Sequence, residues 1–478
     1  MTPAKFGWLC KLEKRSSGAG ALIGNMTLSL LAQELGGELL GEDVIFSSVS
    51  TDTRLLQSGD LYLALVGENF DGNNFIDEAR RAGAGSAVIS RQVTLQLPAL
   101  KVTDTHAALG KLARLNRQRS TAKIIALTGS QGKTTVKEML RSILNNSADC
   151  LATEANLNNT IGVPLTLLRL EEQHEYAVIE MGANAAAEIA FSVAVAEPDI
   201  ALITNASPAH IEGFGSLQGI ATAKGEIIDG LKRDGVMVLN ADDCYVEDWS
   251  ARAAGKRNVR FSSDNIAGDA QYFASQRVGQ DDGTSSFNLH TPQGEQALSI
   301  RFLGKHNVLN AIAASAVAME AGASLTDIAE GLAKLNPVPG RLSRLLGMNG
   351  CYLIDDSYNA SPESFSAAID VLSRLPGQKI LVMGDMKELG IDTDSAHRSI
   401  GVNAADAGID ALWATGEKAK LAIDAYAGKG RYFENKEELI EALIDVTHPD
   451  LTVLIKGSRG AKMDEVVTAL MIDGETQC

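Results

Sequence analysis

Cysteine is scarce in this 478-residue sequence, and long apolar runs are absent. The five cysteines are scattered, and no two of them have the C-x-x-C spacing of a zinc or redox site. This usage is typical of a reducing compartment and predicts a cytoplasmic protein. No apolar run approaches the roughly 18 to 20 residues of a membrane span, and the apolar stretch near the start is too short for a signal peptide. We therefore expect neither secretion nor a membrane span.

Positive charge is also in short supply. The sequence has 43 Lys and Arg against 60 Asp and Glu, which gives a formal net charge of -17. Such a chain repels phosphate backbones and anionic lipid at long range, so nucleic acids and membrane surfaces are poor candidate partners. A nucleotide would have to bind in a locally basic or amide-rich pocket. With 45% hydrophobic and 22% charged residues, the composition is that of a globular protein.

The length suggests about three domains of roughly 100 to 200 residues. Apolar strand patterns alternate with helical ones, which predicts α/β domains with mostly parallel sheets covered on both faces. Only residues 255–303 show the alternating pattern of antiparallel strands. Met26 precedes a helical pattern and is the expected natural start. The predicted segments are an unstructured extension (1–25), a small α/β domain (26–108), a central domain with a mostly parallel sheet (109–337) and a doubly wound, Rossmann-like domain (338–478).

Residues 128–135 have the context of a phosphate loop, since they follow an apolar strand and precede a helical pattern. Glycines let backbone amides close around phosphate, and the helix N-terminus adds its positive end. Lys133 can reach the β and γ phosphates, and the Thr134 hydroxyl can bind Mg²⁺. The spacing is shorter than that of the standard pattern G-x-x-x-x-G-K-[ST], because Leu127 stands where that pattern has its first glycine. The candidate ATP-binding residues are Gly129, Ser130, Gln131, Gly132, Lys133, Thr134 and Thr135. A glycine-rich turn with a chance lysine is the alternative.

Three further polar residues follow predicted strands downstream of this loop. Glu180 ends the apolar run 176–179, and a carboxylate at the carboxyl end of a parallel strand faces the crevice where such sheets bind ligands. It could hold the metal on ATP, although a solvated strand-end acid is the commoner case. His210 and Lys224 would each be ordinary alone. Their position after the next strand makes them candidates.

In their order along the chain, segments 128–135, 179–184, 209–216, 224–226 and 304–311 resemble the Mur ligases of peptidoglycan synthesis. Within that family, further segments resemble the branch that joins D-alanyl-D-alanine to UDP-N-acetylmuramoyl-tripeptide. These are 51–54, 67–72, 355–362, 383–390 and 456–459. The resemblance covers the chain from Met26 to its last helix.

The resemblance implies a first domain for the UDP end of the substrate, a central ATPase domain and a Rossmann-like C-terminal domain. It implies that ATP phosphorylates the terminal carboxylate of the tripeptide and that the amine of the dipeptide attacks the acyl phosphate. The products are then the pentapeptide, ADP and phosphate. This order is chemically sensible, since a carboxylate is inert to amines until its oxygen becomes a good leaving group.

The resemblance also implies roles for single residues. Thr134 and Glu180 would bind one Mg²⁺ and His210 a second, while Lys224 stands where the family carries a CO₂-derived carbamate. Lys133, Glu180, His210 and Lys224 would then form the catalytic set. Further ATP-binding residues would be Asn307, Asn310, Arg341 and Asp356. The other substrates would contact Thr53, Arg54, Asn69, Phe70, Asn156, Asn158, Asn159, Tyr358, Asn359, Lys456 and Arg459.

Two local features qualify these roles. Asp355 and Asp356 are neighbours on a strand, so only one of them can point into a cleft. Gly460 stands where the resemblance leads us to expect serine, which weakens the assignment of 456–459 to the dipeptide. Asn307 and Asn310 could also merely cap a helix, and Lys456 and Arg459 could be a solvated basic patch.

Several alternatives stay open. The preceding ligase, which adds the third residue, is disfavoured by the lack of a D-N-P-R motif, and folylpolyglutamate synthase by the presence of 51–54 and 67–72. A non-catalytic nucleotide-binding scaffold is disfavoured by four intact residues, Lys133, Glu180, His210 and Lys224. Both diaminopimelate and lysine remain candidates for the third residue of the peptide, Lys224 is either free or carbamylated, and a monomer is expected.

Overall fold

The computed structural model describes residues 21–92, 96–208, 211–279 and 283–472. They form two compact units. The first contains the described residues up to Ile124 together with Asp149–Met181 and Phe191–Glu197. The second contains Ile125–Ala148, Gly182–Ala190 and the chain from Pro198 on. In the described part of the chain, every helix is too short or too polar to cross a membrane.

The N-terminal elements are short. They are β1 (Met26–Thr27), α1 (Leu28–Leu35), β2 (Glu38–Leu40), β3 (Ile45–Phe46), β4 (Val49–Ser50), β5 (Leu61–Leu63), β6 (Val66–Gly67), β7 (Phe70–Asp71), α2 (Ile76–Ala82), β8 (Ser86–Ile89), β9 (Ala99–Lys101) and α3 (Thr105–Arg119).

The central elements alternate between strand and helix until the chain enters three longer strands. They are β10 (Lys123–Thr128), α4 (Lys133–Leu144), β11 (Cys150–Ala152), α5 (Gly162–Leu167), β12 (Tyr176–Glu180), α6 (Glu188–Ala196), β13 (Ile200–Ile203), α7 (Ile211–Phe214), α8 (Leu217–Gly225), β14 (Val236–Asn240), α9 (Val246–Arg252), β15 (Arg257–Phe261), β16 (Phe273–Gly279), β17 (Ser285–Thr291), β18 (Gly294–Ile300), α10 (Lys305–Ala321) and α11 (Leu325–Lys334).

The C-terminal elements again alternate. They are β19 (Ser343–Leu346), β20 (Tyr352–Asp356), α12 (Pro362–Ser373), β21 (Gln378–Met383), α13 (Thr393–Asp406), β22 (Ala411–Thr415), α14 (Lys420–Ala425), β23 (Lys429–Phe433), α15 (Lys436–Val446), β24 (Leu451–Lys456) and α16 (Asp464–Leu470).

The first unit is built on a five-stranded sheet in the order β2-β9-β8-β5-β4. Its strands are parallel except β2, which runs antiparallel to β9. Apolar side chains of β5, β8 and α2, such as Tyr62 and Ile76, form its core. In the same unit β11 and β12 pair in parallel. The small α/β domain predicted here is therefore present.

Two structural features lie across the limits of the first predicted segments. Residues 1–20 of the predicted extension lie outside the described residues, but Leu22 and Ile23 are buried. The Ile23 amide donates to Asn116 Oδ1 of α3 over 2.8 Å, so these two residues belong to the first unit. The boundary predicted after residue 108 falls inside α3, because that helix continues to Arg119 with one buried face.

In the second unit, β10, β13, β14 and β15 lie side by side and run parallel. The inner residues of β10, β13 and β14 are fully buried and apolar, as expected for a sheet covered on both faces. The strands β16, β17 and β18 form a separate antiparallel sheet. The antiparallel segment predicted over 255–303 is thus confirmed from Phe273 on. It is wrong for β15, which pairs in parallel with β14, because its short alternating pattern does not distinguish the two pairings.

The C-terminal sheet has the order β19-β20-β24-β21-β22-β23. All of its strands are parallel except the edge strand β19, which runs antiparallel to β20. One core packs α12, α13 and α14 against one face, and a second packs α15 and α16 against the other. This is the predicted doubly wound domain. The last strand, β24, lies between β20 and β21, so their carboxyl ends meet at one edge.

Candidate active site

The loop between β10 and α4 needs glycine at two positions. Gly129 has a φ of 152°, and a Cβ there would lie 1.9 Å from Thr204 Oγ1. Gly132 has a φ of 81°, and its Cβ would lie 2.4 Å from Asn310 Oδ1. Both positions therefore exclude a side chain by backbone conformation and by space. The glycines that the sequence singled out allow other polar groups to approach the loop backbone.

The segment after β13 fixes the loop. The Gln131 amide donates to Asn205 Oδ1 over 3.0 Å, and Thr204 Oγ1 donates to the Gln131 carbonyl over 2.6 Å. The Ser130 hydroxyl donates to the Ser207 carbonyl over 2.9 Å and accepts the Ser207 amide at the same distance. These side-chain and backbone bonds hold the loop in one conformation ahead of ligand binding.

Lys133 is the first residue of α4, and its side chain folds back over the loop. Its Nζ donates to the Gly129 carbonyl over 2.7 Å and lies 3.4 Å from that of Ser130. A cation at a helix N-terminus opposes the helix dipole. An anion held by the loop would remove this conflict, because it would interact favourably with both the lysine and the helix end.

Two asparagines of α10 face the loop. Asn310 Nδ2 donates to Asn307 Oδ1 over 3.0 Å, and Asn307 Nδ2 donates to the Leu303 carbonyl over 2.8 Å. Both side chains are buried. Asn307 thus satisfies a carbonyl beside the helix start, but it does not cap the helix, whose N-cap is Gly304 without a side-chain bond. Asn310 leaves an oxygen directed at Gly132.

At the end of β20, two adjacent carboxylates have different surroundings. Asp355 accepts the Gly340 amide over 2.8 Å and the Ser357 hydroxyl over 2.6 Å, so it holds the local chain in place. Asp356 accepts Lys456 Nζ over 2.6 Å and the Leu342 amide over 3.2 Å. Asp356 lines the same cavity as the phosphate loop, and Asp355 does not. The prediction that only one of the pair can face a cleft is confirmed.

Lys456 is committed to this buried pair. Its side chain is 2% exposed, and Nζ also donates to the Asn359 carbonyl over 2.9 Å. Burial raises the pKa of Asp356 and lowers the pKa of Lys456, while the attraction between the two charges opposes both shifts. Lys456 is therefore neither a solvated basic group nor free to bind another substrate in this arrangement.

One cavity of the second unit brings most of the predicted nucleotide residues together, although Gly129, Lys133 and Thr134 are not among the residues that line it. The cavity is lined by ten of the site residues that the sequence predicted, namely Ser130, Gln131, Gly132, Thr135, Asn307, Asn310, Arg341, Asp356, Asn359 and Lys456. It also contains residues that the sequence analysis did not select. These include Asn205, His306, Ser361 and Ser364. His306 and Ser361 lie within the segments that resemble the Mur ligases, but the resemblance did not indicate that they line the cavity. Asn205 and Ser364 lie outside those segments.

Arg341 and Arg459 contact the same aromatic ring. The guanidinium carbon of Arg341 lies 4.1 Å from the ring centroid of Tyr358, and that of Arg459 lies 5.2 Å from it. Such distances are favourable for cation–π contacts. Tyr358 thus links the nucleotide cavity to the loop that follows β24.

Lys224 lies on α8 and is buried, with 5% of the residue exposed. Burial, together with the charge of Lys133, lowers the pKa of Lys224 well below its ordinary value. A larger fraction of its amine is consequently neutral near pH 7. Only a neutral amine reacts with CO₂, so this environment fits the carbamate that the resemblance implies. His210 lies outside the described residues.

In the first unit, Glu180 ends β12 and is 1% exposed. Asn158 Nδ2 donates to Glu180 Oε1 over 2.8 Å, which brings two of the predicted residues together. Asn159 has a local role, since its Oδ1 accepts the Gly162 amide at the start of α5 over 2.8 Å. Asn156 is exposed.

The other first-unit candidates lie on its surface. Thr53 Oγ1 donates to Glu78 Oε1 over 2.6 Å, and Arg54 pairs with Asp52. Phe70 is 50% exposed and stacks on Phe75 with ring centroids 5.3 Å apart. Exposed aromatic and polar groups of this kind can contact a ligand, but their contacts within the protein do not indicate which ligand binds.

Three family models match successive parts of the chain. Residues 45–117 match the Mur ligase family catalytic domain, 127–318 the Mur ligase middle domain, and 340–459 the Mur ligase glutamate ligase domain. The chain belongs to the Mur ligase family. The predicted three-domain α/β organisation is confirmed by these matches, while the exact residue limits of the domains stay a prediction.

Individual Mur ligases are similar over nearly the full length. The UDP-N-acetylmuramoyl-tripeptide–D-alanyl-D-alanine ligase of Escherichia coli (strain K12) is 44% identical, with 94% of this chain and 99% of that protein covered. The crystal structure of MurF from Acinetobacter baumannii is 36% identical, with a TM-score of 0.88. The match covers 94% of this chain and 99% of that one. MurF ligase from Thermotoga maritima in complex with ADP is 28% identical, with a TM-score of 0.79. The match covers 88% of this chain and 96% of that one.

Proposed function

We propose that this Mur ligase joins D-alanyl-D-alanine to UDP-N-acetylmuramoyl-tripeptide with hydrolysis of ATP, giving the pentapeptide, ADP and phosphate. The observation that carries the proposal is the 44% identity over 94% of the chain to a ligase of that name. The rival that adds the third residue is less well supported, since its structure is 20% identical with a TM-score of 0.54.

ATP is proposed to bind in the cavity lined by the phosphate loop, α10 and the end of β20. The loop amides suit the phosphates, as does Lys133, which lies over the same loop with its Nζ 2.7 Å from the Gly129 carbonyl. Arg341 adds a second cation on the opposite wall of the cavity. Asp356 can accept hydrogen bonds from a ribose, and Asn310 can donate to and accept from a base. The Thermotoga maritima relative was solved with ADP, which supports a nucleotide site in this family.

Mg²⁺ is proposed as the metal partner of ATP. The Thr134 hydroxyl and the Glu180 carboxylate are oxygen donors of the kind that Mg²⁺ prefers, and each is proposed as a ligand on that chemistry. Within the described ranges, no group of three or more His, Cys, Asp or Glu could hold a metal alone. This fits an ion that takes its remaining oxygens from phosphates and water. When bound, Mg²⁺ would neutralise phosphate charge. His210 stays a predicted ligand of a second ion.

Lys224 is proposed to carry a carbamate, which would turn a buried cation into an oxygen ligand. Its lowered pKa supports this. Carbon-13 NMR of protein equilibrated with labelled bicarbonate should show a carbamate signal that Lys224→Gln lacks. The same spectrum for both proteins, with activity indifferent to bicarbonate, would reject the carbamate.

Lys133 and Arg341 are proposed to hold the γ phosphate while the tripeptide carboxylate attacks it. Cations fixed around the transferred group stabilise its charge without reorganisation during the reaction. The acyl phosphate then has a good leaving group, and the dipeptide amine displaces phosphate. The cytoplasmic location and the monomeric state stay predictions, and the third peptide residue stays open between diaminopimelate and lysine.

Product analysis tests the proposed function directly. The purified protein should release phosphate from MgATP and UDP-N-acetylmuramoyl-tripeptide only when D-alanyl-D-alanine is added, and mass spectrometry should show the pentapeptide nucleotide. Product from a dipeptide nucleotide and a free amino acid would indicate the preceding ligase. Absence of product with any acceptor, with ATP still bound, would indicate the scaffold.

A further inference from the structure

Glu226, which immediately follows α8, joins that helix to the start of α6. Its Oε1 accepts the Ala187 amide over 2.8 Å, and its Oε2 accepts the Ala190 amide over 3.0 Å. The first amides of a helix have no partner inside the helix, and a carboxylate placed there is also attracted by the positive end of the helix dipole. Glu226 therefore caps α6 from a position 39 residues beyond Ala187.

The backbone of the same residue is bonded to Lys224. The Glu226 amide donates to the Ala223 and Lys224 carbonyls, and α8 ends there. Because Lys224 is buried, the direction of its side chain depends on the backbone that carries it. One residue thus ties the end of α8, through its backbone, to the start of α6, through its carboxylate.

The helix α9 holds the preceding part of α8. Trp249 Nε1 donates to the Ala221 carbonyl over 2.9 Å, and Arg252 Nη1 donates to the Thr222 carbonyl over 3.0 Å. These two bonds fix the helix backbone before its last turn ends. The chain beyond them is held by the bonds of Glu226, so this residue completes the support of α8.

The segment that Glu226 binds has a backbone conformation that needs support. Ala187 has a φ of 70°, in the left-handed region that is unfavourable for alanine. The Asn184 carbonyl oxygen, earlier in the same segment, lies where a Cβ of Gly213 would come within 1.9 Å of it. The segment therefore packs closely against α7, the helix that follows His210, while its other end is bound by Glu226.

We propose that Glu226 is a positioning residue that sets the direction of the Lys224 side chain. The inference rests on the proposed function, because that side chain is proposed to carry the carbamate. The neutral amine would form a bond to the carbon of CO₂ and release one proton. The new oxygens can serve as ligands only if the backbone of Lys224 directs them correctly. Glu226 acts through that backbone, since both of its own oxygens accept amides.

The test compares Glu226→Ala with Asp327→Ala, which removes a carboxylate from the start of α11. Asp327 accepts the amide and the hydroxyl of Ser324, so the control also loses a helix cap. Carbon-13 NMR in labelled bicarbonate should show a carbamate signal in wild type and control and a strongly reduced one in Glu226→Ala. The kcat for pentapeptide formation should fall about 10- to 100-fold in Glu226→Ala alone, with KM for ATP unchanged.

Reductive methylation with formaldehyde and cyanoborohydride tests the position of Lys224 without the ligase reaction. In bicarbonate-free buffer, mass spectrometry should show faster modification of Lys224 in Glu226→Ala than in wild type. Lys137, whose side chain is 2% exposed, is the internal reference and should stay protected in both proteins. Faster modification of both lysines would indicate general unfolding and would overturn a local role of Glu226.

Two further results would overturn the inference. A Glu226→Ala variant with the wild-type carbamate signal and kcat would show that Lys224 is oriented without Glu226. Equal losses in Glu226→Ala and Asp327→Ala would show an effect of helix capping alone. A wild-type protein without a carbamate signal would instead reject the carbamate of the proposed function. Faster methylation of Lys224 alone would then still show that Glu226 holds this side chain.

Discussion

The two walls of the nucleotide cavity are built in different ways. The phosphate loop is local: its strand, glycines and lysine lie within residues 123–144, and its backbone conformation follows from their order. The opposite wall joins Asp356 to Lys456, which are 100 positions apart in the sequence. The loop is thus a property of one segment, whereas the opposite wall exists only once the C-terminal sheet has placed β20 beside β24.

The two walls also use charge differently. Lys133 bonds to neutral carbonyls of its own loop and is partly buried, so an arriving phosphate can attract it. Lys456 is neutralised by a buried carboxylate and has little freedom to move. We infer that Lys133 supplies a preorganised charge that phosphate can bind directly, whereas the Asp356–Lys456 pair of the opposite wall supplies a fixed frame. Four substitutions test this division, from the largest expected effect to the smallest.

Lys133→Ala should abolish most of the activity without unfolding the protein. Loss of one preorganised charge at the transferred phosphate lowers kcat by about 10³-fold. The measurement is pentapeptide formation at saturating ATP, together with the melting temperature. Lys334→Ala, an exposed lysine paired with Glu330, is the control and should leave both unchanged. Activity within tenfold of wild type would remove Lys133 from the reaction.

Lys456→Met should destabilise the protein by about 3 to 5 kcal/mol, because it leaves a buried carboxylate without its partner. The double change Asp356→Asn with Lys456→Met should recover much of this loss, since no isolated charge remains. Urea unfolding measures both. Glu330→Gln, which breaks the exposed pair with Lys334, should cost less than about 0.5 kcal/mol. If Lys456→Met also lowered the unfolding free energy by less than about 0.5 kcal/mol, the Asp356–Lys456 pair would not be a rigid part of the cavity wall.

Gly132→Ala should lower the stability by about 2 to 3 kcal/mol and raise KM for ATP. The new Cβ requires a left-handed backbone and would lie 2.4 Å from Asn310 Oδ1. Gly255→Ala is the matched control, because Gly255 has a φ of 83° but open space around it. Equal unfolding free energies for the two variants would show that the approach of Asn310 is not important.

His306, which lines the cavity at the start of α10, should make stability depend on pH. Burial is the main cause that lowers its pKa to about 4 from an ordinary 6.5, and the charge of Lys456 adds to it. The unfolded chain then binds more protons between these values, so stability falls as the pH drops from 6.5 to 4. The loss should be roughly 2 kcal/mol, less than the full shift implies, because His306 is only half-buried.

The check is the difference between wild type and His306→Gln in urea unfolding at pH 7 and pH 4.5. The variant should lose less stability over this range, because it lacks the titrating ring. Identical losses would show that His306 titrates alike in the folded and unfolded chain.

The sequence allowed the phosphate loop, the alternation of strands and helices and the strand-end position of Asp356 to be predicted, because each depends on neighbouring residues. It did not predict that Lys456 is buried against Asp356, since strand order is not visible in local patterns. Nor did it predict that Glu226 caps α6, because that contact joins two segments 39 residues apart. The parallel pairing of β15 was missed for the same reason.

The central claim is that ATP activates the tripeptide carboxylate as an acyl phosphate. The transfer of an oxygen atom from that carboxylate to phosphate tests this claim most directly. UDP-N-acetylmuramoyl-tripeptide labelled with oxygen-18 in its terminal carboxylate is converted with ATP and D-alanyl-D-alanine, and the released phosphate is analysed by mass spectrometry. If ATP activates that carboxylate as an acyl phosphate, one labelled oxygen appears in each phosphate formed. Unlabelled phosphate alongside labelled pentapeptide would contradict the account.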